Sequence, residues 1–276
     1  MPLIKVTNGT NLFYKDWGSG IPVVFVHGWC INCDSWEYIM HEMAEKGFRC
    51  IAYDQRGCGR SDQPWRGYDY MTLADDLAAL IERLDLDKVV LVGHSMGCGV
   101  ITQYLAEYGD LHVLKAVLIG TTTPYMAQSA SNPNGIERAY LDADIDYIKR
   151  DRPGFVHSLV EDFFYLQKAG NTISPQMVNW AEEITMQASS RAAVEMRNTC
   201  YSANQREELK QISIPVLMLH GDKDTSCPLP LTVEPTRDLL INSKLKIYEE
   251  MPHGMYMTEG PLISKDIMDF IYSKIT

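Results

Sequence analysis

The chain lacks a long apolar run, a surplus of basic residues and a paired cysteine framework, and each absence removes a class of protein. No uninterrupted hydrophobic stretch approaches the roughly 18 residues of a membrane span. The opening residues Met1 to Thr7 carry no basic segment followed by an apolar one, so a soluble, unexported, cytoplasmic protein is expected. Lys and Arg number 25 against 36 Asp and Glu, a net charge of −11. A nucleic acid would meet repulsion rather than a counterion-releasing face. Seven cysteines, Cys30, Cys33, Cys50, Cys58, Cys98, Cys200 and Cys227, show no small-scaffold spacing and suit reduced thiols. No fixed-period repeat or low-complexity tract is present. What is there is 276 residues, 46% hydrophobic and 22% charged, a globular composition long enough for one domain with a large insertion.

Val-, Ile- and Leu-rich runs recur at Val23 to Val26, Arg49 to Tyr53, Val89 to Val92, Leu114 to Ile119, Val216 to Leu219 and Leu245 to Tyr248. Continuous apolar strands separated by helical patterns predict a parallel sheet covered on both faces. Ahead of them, Leu3 to Val6 and Leu12 to Trp17 flank Asn8-Gly9, an antiparallel hairpin signal, which brings the sheet to about eight strands. Asp34 with Glu37 reads as a capping box before Trp36, Met40 and Met43, and Thr72 as the cap of a stripe of Leu73, Leu77, Leu80, Ile81 and Leu84 with Asp75, Asp76 and Glu82 turned to water. Between Gly120 and Ile214 there is no strand-like run, only amphipathic stretches. One is Ile136, Tyr140, Leu141, Ile145 and Ile148; another is Phe155, Leu159, Phe163 and Leu166 after Pro153; a third begins at Ser174-Pro175. The expected division is a core of residues 1–121 and 213–276 with a helical cap at 122–212.

Gly93-His94-Ser95-Met96-Gly97 sits directly between a strand and a helix-compatible run. Small residues two before and two after a serine let the chain fold back tightly enough to expose the hydroxyl above the sheet. A hydroxyl is a weak nucleophile near neutral pH, so it needs a base and the base needs a carboxylate to fix its tautomer. His253 lies in the loop after the last strand and is the candidate base. The acid falls between serine and histidine, after Leu217 to Gly221, where Asp222 is close to the turn and Asp224 projects farther; Asp224 is favoured. Backbone N–H groups of Met96, in the serine turn, and Trp29, after His27-Gly28, are the candidate oxyanion donors.

On these residues the chain resembles the α/β-hydrolase superfamily, and within it the aryl esterase and cofactor-free haloperoxidase, or perhydrolase, group. The likeness covers nearly the whole chain and rests on His27-Gly28-Trp29, the loop from Asp54 to Trp65, the serine turn, Gly221 to Pro228 and Pro252-His253-Gly254. It implies the α/β-hydrolase fold, no cofactor, Asp224 as the acid and a supporting role for the Asp54 loop. In one place the chain departs from that group: perhydrolase-type members tend to carry proline after the oxyanion tryptophan, where Cys30 stands here. That tilts the expectation toward ester hydrolysis over peracid formation.

Gly57-Cys58-Gly59 is too short for a dinucleotide fingerprint, and Cys30-Ile31-Asn32-Cys33 lacks a second ligand pair at zinc spacing, so no metal is expected. Cys98, one helical turn past Ser95, is expected to pack beneath it. Met126, Met177, Met186, Met196 and Met257 with Tyr125, Phe163, Phe164 and Trp180 put soft and aromatic side chains in or near the cap. From these, Tyr125, Phe163, Phe164, Trp180 and Met257 are the expected pocket residues, and a small-to-medium apolar carboxylic ester the expected substrate. A lactonase, amidase, perhydrolase or carbon–carbon bond hydrolase would use the same constellation, and a ligand-binding receptor with a slow triad is the rival from another class. The expected partner is a small molecule, with neither nucleic acid nor membrane, and a homo-oligomer is open.

Overall fold

Strands that are apolar along their whole length suit a sheet buried on both faces, since side chains on either side must then leave water. In the computed structural model, which describes residues 2–273, the strands are β1 (Leu3–Lys5), β2 (Asn11–Gly18), β3 (Ile21–Val26), β4 (Phe48–Tyr53), β5 (Val89–His94), β6 (Val113–Ile119), β7 (Val216–Gly221) and β8 (Ser243–Tyr248), with β3 to β7 buried along most of their length and β1, β2 and β8 partly exposed. Their spatial order is β1-β2-β4-β3-β5-β6-β7-β8. β2 is antiparallel to both neighbours, and every pairing from β4 to β8 is parallel. The period-two alternation of strands sorts side chains between two cores. Val24, Val26 and Leu91 join one, while Val23, Phe25, Val90 and Val92 join the other.

The helices are α1 (Glu37–Glu45), α2 (Tyr70–Arg83), α3 (Met96–Tyr108), α4 (Arg138–Phe164), α5 (Pro175–Met186), α6 (Ser190–Ser202), α7 (Arg206–Leu209), α8 (Val233–Leu239), α9 (Met255–Thr258) and α10 (Gly260–Tyr272). Three local readings need correction. Asp34 and Glu37 do not form a capping box: Asn32 caps a short 3-10 turn ahead of α1, and both carboxylates pair with Lys15, Asp34 with Arg60 as well. Asp69, not Thr72, caps α2, accepting from the Thr72 N–H at 2.9 Å. Asp76 faces inward rather than water, because Arg56 meets it with two hydrogen bonds of 2.6 Å.

Chain order β3, β4, β5 places β4 on one side of β3 and β5 on the other. A crevice opens at the carboxyl ends of β3 and β5 where the winding reverses, and ligands bind in such crevices. Inserted between β6 and β7 are α4 to α7; α4 packs on α5 and α6, and these three line the cavity with Ser95, while α7 packs against α3 and α8. Leu141, Ile145 and Ile148 of α4 are buried as their spacing requires, but Tyr140 is 67% exposed. The helix breaks at Asp151 (φ −154°), whose carboxylate accepts from the Gly154 N–H at 3.0 Å. That recapping puts Pro153 in a first turn, where its missing N–H is no loss. Ser174 caps α5 by accepting from Met177 N–H at 3.1 Å.

Candidate active site

Ser95 sits between β5 and α3 at φ 53°, ψ −120°, a backbone region that a side chain rarely adopts. The turn closes only because its flanks are glycine. A Cβ on Gly93 would lie 2.8 Å from the Gly97 carbonyl carbon, and one on Gly97 would lie 2.8 Å from the His27 oxygen and nearer still to that of Val26. Cys98 is fully buried below, its thiol against the carbonyls of Gly93 and Ile119.

The fold brings Asp224, after β7, to His253, after β8: Nδ1 and Oδ2 are 2.6 Å apart. With Nδ1–H donating to the carboxylate, Nε2 keeps its lone pair and can take a proton. The other carboxylate oxygen accepts from the Cys227 N–H at 2.7 Å. Asp222 turns away and pairs with Lys223 at 3.3 Å. Ser95, His253, His94, Gly28 and Trp29 all line one cavity of about 380 Å³. Among the described residues the Ser95 hydroxyl is not hydrogen-bonded to His253, and the backbone N–H groups of Trp29 and Met96 donate to no protein acceptor. Cys30 adopts φ 52°, and the Ile31 N–H donates to the Trp29 carbonyl at 2.7 Å. Proline, fixed near φ −65°, could not take this conformation.

Three buried histidines that chemistry does not single out hold the loops in place. His94 Nε2 donates to the His253 carbonyl at 3.0 Å, and His220 Nε2 donates to that of Cys227 at 2.9 Å. His27 donates from Nδ1 to the Gly28 carbonyl at 2.8 Å and accepts the Gln55 N–H on Nε2 at 2.9 Å. Burial lowers the pKa of all three, and the neighbouring His253 adds to the shift at His94. Since their folded pKa values lie below the unfolded one, their contribution to stability is complete above about pH 6.5 and is lost as pH falls toward the folded values. Urea unfolding should show stability nearly level from about pH 7.5 to 6.5 and then falling, by up to about 1 kcal/mol for each ring by about pH 5.5. A stability still level at the lowest of these pH values would mean the rings are not held neutral.

The loop from Asp54 braces the Trp29 segment from behind. Asp54 accepts from the Cys33 N–H at 2.9 Å and from Arg60 N–H and Nε at 2.8 and 2.9 Å. Burial alone would raise the Asp54 pKa, but these donors hold it below the ordinary value. Gln55 donates to the His27 carbonyl at 2.7 Å.

Of the five expected pocket residues, only Phe163 lines the cavity, its ring edge-on to His253 at 5.8 Å between centroids. Phe164, the next residue on the same helix, is rotated about 100° away and is buried in the core with Met257. Trp180 packs edge-on against Tyr38 at 6.1 Å, and the Tyr125 ring lies under Arg206. Of the methionines, Met126 lines the cavity. Sequence reasoning missed the polar cluster of Asp144, Arg197 and Tyr201 on the cavity wall. The signal was an arginine on the inward stripe of α6, between Ala193, Met196 and Cys200.

Asp224, Cys227 and His253 bring potential metal ligand atoms within 4.8 Å of one another. Two of those atoms are already hydrogen-bonded to each other, and burial raises the Cys227 thiol well above its ordinary pKa, away from the thiolate a metal needs. No helix among the described residues is long and apolar enough to cross a membrane.

Residues 21–260 match the family model described as alpha/beta hydrolase fold. A bifunctional esterase/perhydrolase of Acinetobacter calcoaceticus is 37% identical over 277 residues, covering 99% of this chain and 100% of its own. A bromoperoxidase structure from Bacillus anthracis superposes with TM-score 0.94 at 31% identity, covering 99% of each chain. An esterase structure from Exiguobacterium antarcticum superposes with TM-score 0.93 at 33% identity, over 98% of this chain and 99% of that one. With its sheet order, its strained serine turn and these matches along nearly its whole length, the chain belongs to the α/β-hydrolase family.

Proposed function

We propose that the protein is a serine hydrolase cleaving small-to-medium apolar carboxylic esters, with Ser95 as nucleophile, His253 as base and Asp224 as the residue that orients it. The observation that carries the reading is the Asp224–His253 pair opening onto the same cavity as a serine held in a strained turn. Ser95 Oγ attacks the acyl carbon while His253 Nε2 takes its proton. The tetrahedral oxyanion accepts from the backbone N–H groups of Trp29 and Met96, which have no protein acceptor among the described residues. His253 returns the proton to the departing alcohol, leaving the acyl group on Ser95. Water, deprotonated by the same nitrogen, releases the acid. The Ser95–His253 hydrogen bond forms as substrate docks, since such contacts tighten in the Michaelis complex. Residues 122–212 act as a cap that roofs the pocket.

A second reading, peracid formation with hydrogen peroxide replacing water, is favoured by the likeness to the esterase/perhydrolase and the bromoperoxidase. Against it, the Trp29 carbonyl is engaged by Ile31 and Cys30 stands where proline is usual. A panel of nitrophenyl esters, with and without peroxide, separates the two. Apolar acyl groups should react at least about tenfold faster than strongly charged or peptidic ones, and acid should be the main product when peroxide is present. Peracid as the main product, or preference for charged acyl groups, would contradict the esterase reading.

A further inference from the structure

One wall of the cavity holds a guanidinium with an unused edge. Arg197 donates from Nε to Asp144 Oδ2 at 3.0 Å, and from Nη2 to the same oxygen and to the Tyr201 hydroxyl at 3.1 Å. Its Nη1 donates to no protein acceptor among the described residues. The group is fixed between aromatic faces, 4.7 Å from the Tyr201 ring, 5.6 Å from Trp29 and 5.7 Å from Phe155. Burial opposes its charge, yet Tyr201 and Asp144 keep its pKa above the ordinary arginine value. Tyr201, having accepted from Arg197, still has its own hydroxyl proton to give. Rigid donors with no protein acceptor, on the wall of a binding cavity, recognise an acceptor oxygen on the ligand.

Charge decides which oxygen. The charged side chains lining the cavity are Asp144, Asp162 and Arg197, two carboxylates against one guanidinium. A carboxylate on the substrate would add to an excess of negative charge, whereas a neutral carbonyl or ether oxygen is attracted by the donors without that cost. Building on the esterase reading, we propose that Arg197, with Tyr201, is a specificity-determining residue that selects neutral esters or lactones bearing a second acceptor oxygen remote from the scissile bond. Trp29 lines the same cavity as Ser95, and its indole lies 5.6 Å from the Arg197 guanidinium. Its indole N–H donates to the Ala193 carbonyl on α6 at 2.9 Å, so the same helix supports both.

The test uses three nitrophenyl esters of matched chain length: one with a ketone near the end of the acyl chain, its isostere with CH–CH3 in place of C=O, and the half-ester with a terminal carboxylate. The unmodified protein should favour the ketone over the isostere about 10- to 100-fold in kcat/KM. Arg197→Met should bring that ratio close to one and Tyr201→Phe should lower it, while the half-ester should react more slowly than the ketone. A ratio near one in the unmodified protein, a ratio unchanged in Arg197→Met, or preference for the half-ester would overturn the proposal. A merely structural loss would slow ketone and isostere alike and leave the ratio intact. Labelling of Ser95 with a fluorophosphonate keeps the two readings apart. Stoichiometric labelling with a flat ratio removes only the subsite, whereas absence of both labelling and ester turnover removes the serine hydrolase reading and the subsite with it.

Discussion

Ser95→Ala is expected to lower ester turnover by about six orders of magnitude, the loss seen when nucleophile and base act as a unit, with the residue coming from binding and the oxyanion donors alone. The size of the effect follows from the turn's chemistry: Ser95 Oγ is the hydroxyl carried by the strained turn itself. Cys98, one helical turn on, is fully buried with its thiol against two carbonyls, and burial raises its pKa to about 12. The same position carries backbone strain, at φ 53°. Ser95→Gly should therefore abolish turnover yet unfold at higher urea than Ser95→Ala, by about 1–3 kcal/mol, because glycine adopts that conformation without penalty. Initial rates on an activated ester and equilibrium unfolding check both parts. Turnover in Ser95→Ala within about tenfold of the unmodified protein would rule out Ser95 as nucleophile.

Arg56→Met should destabilise the fold by about 3–5 kcal/mol, a large share of the net stability of an ordinary domain. Arg56 and Asp76 are each 1% exposed and share two hydrogen bonds of 2.6 Å. Removing the guanidinium leaves a carboxylate with neither water nor counter-charge. Burial already pushes the Asp76 pKa above its ordinary value even with Arg56 in place. The double variant Arg56→Met/Asp76→Leu removes both charges and should recover much of the loss. Because Gln55 beside Arg56 holds the His27 carbonyl, the single variant should also loosen the Trp29 segment and slow catalysis in the part of the population still folded. Urea unfolding of both single variants and the double variant decides this. A double variant less stable than Arg56→Met would contradict the argument.

Much of the architecture was legible because it depends on local rules. Unbroken apolar runs fixed the strands, Asn8-Gly9 the first reversal and Ser174-Pro175 the start of α5, each set by residues adjacent in the chain. The serine turn was legible for the same reason, since glycines at 93 and 97 are a steric requirement satisfied within five residues. Chain order and loop position were enough to prefer Asp224 to Asp222, and the structure brings that one to His253. The errors came where a side chain had a distant competitor. Asp34 and Glu37 look like a cap until Lys15 and Arg60 claim them, and Asp76 reads as solvent-facing until Arg56 reaches it from another loop.

The pocket shows the same division. An aromatic in an amphipathic segment is known to face something, but whether that is the core, another helix or the cavity depends on how the segment is rotated against the sheet. Phe163 reached the cavity, while Phe164 and Met257 went to the core and Trp180 to Tyr38. The sequence by itself determined the strand and helix pattern, the serine turn and the order in which Ser95, Asp224 and His253 follow strands, since adjacent residues set local geometry through sterics and periodicity. Only the tertiary structure decided that Arg197 lines the cavity, which carboxylates are paired and which histidines hold the loops. Those outcomes depend on which long-range partner is within hydrogen-bonding reach, and the linear chain does not record that distance.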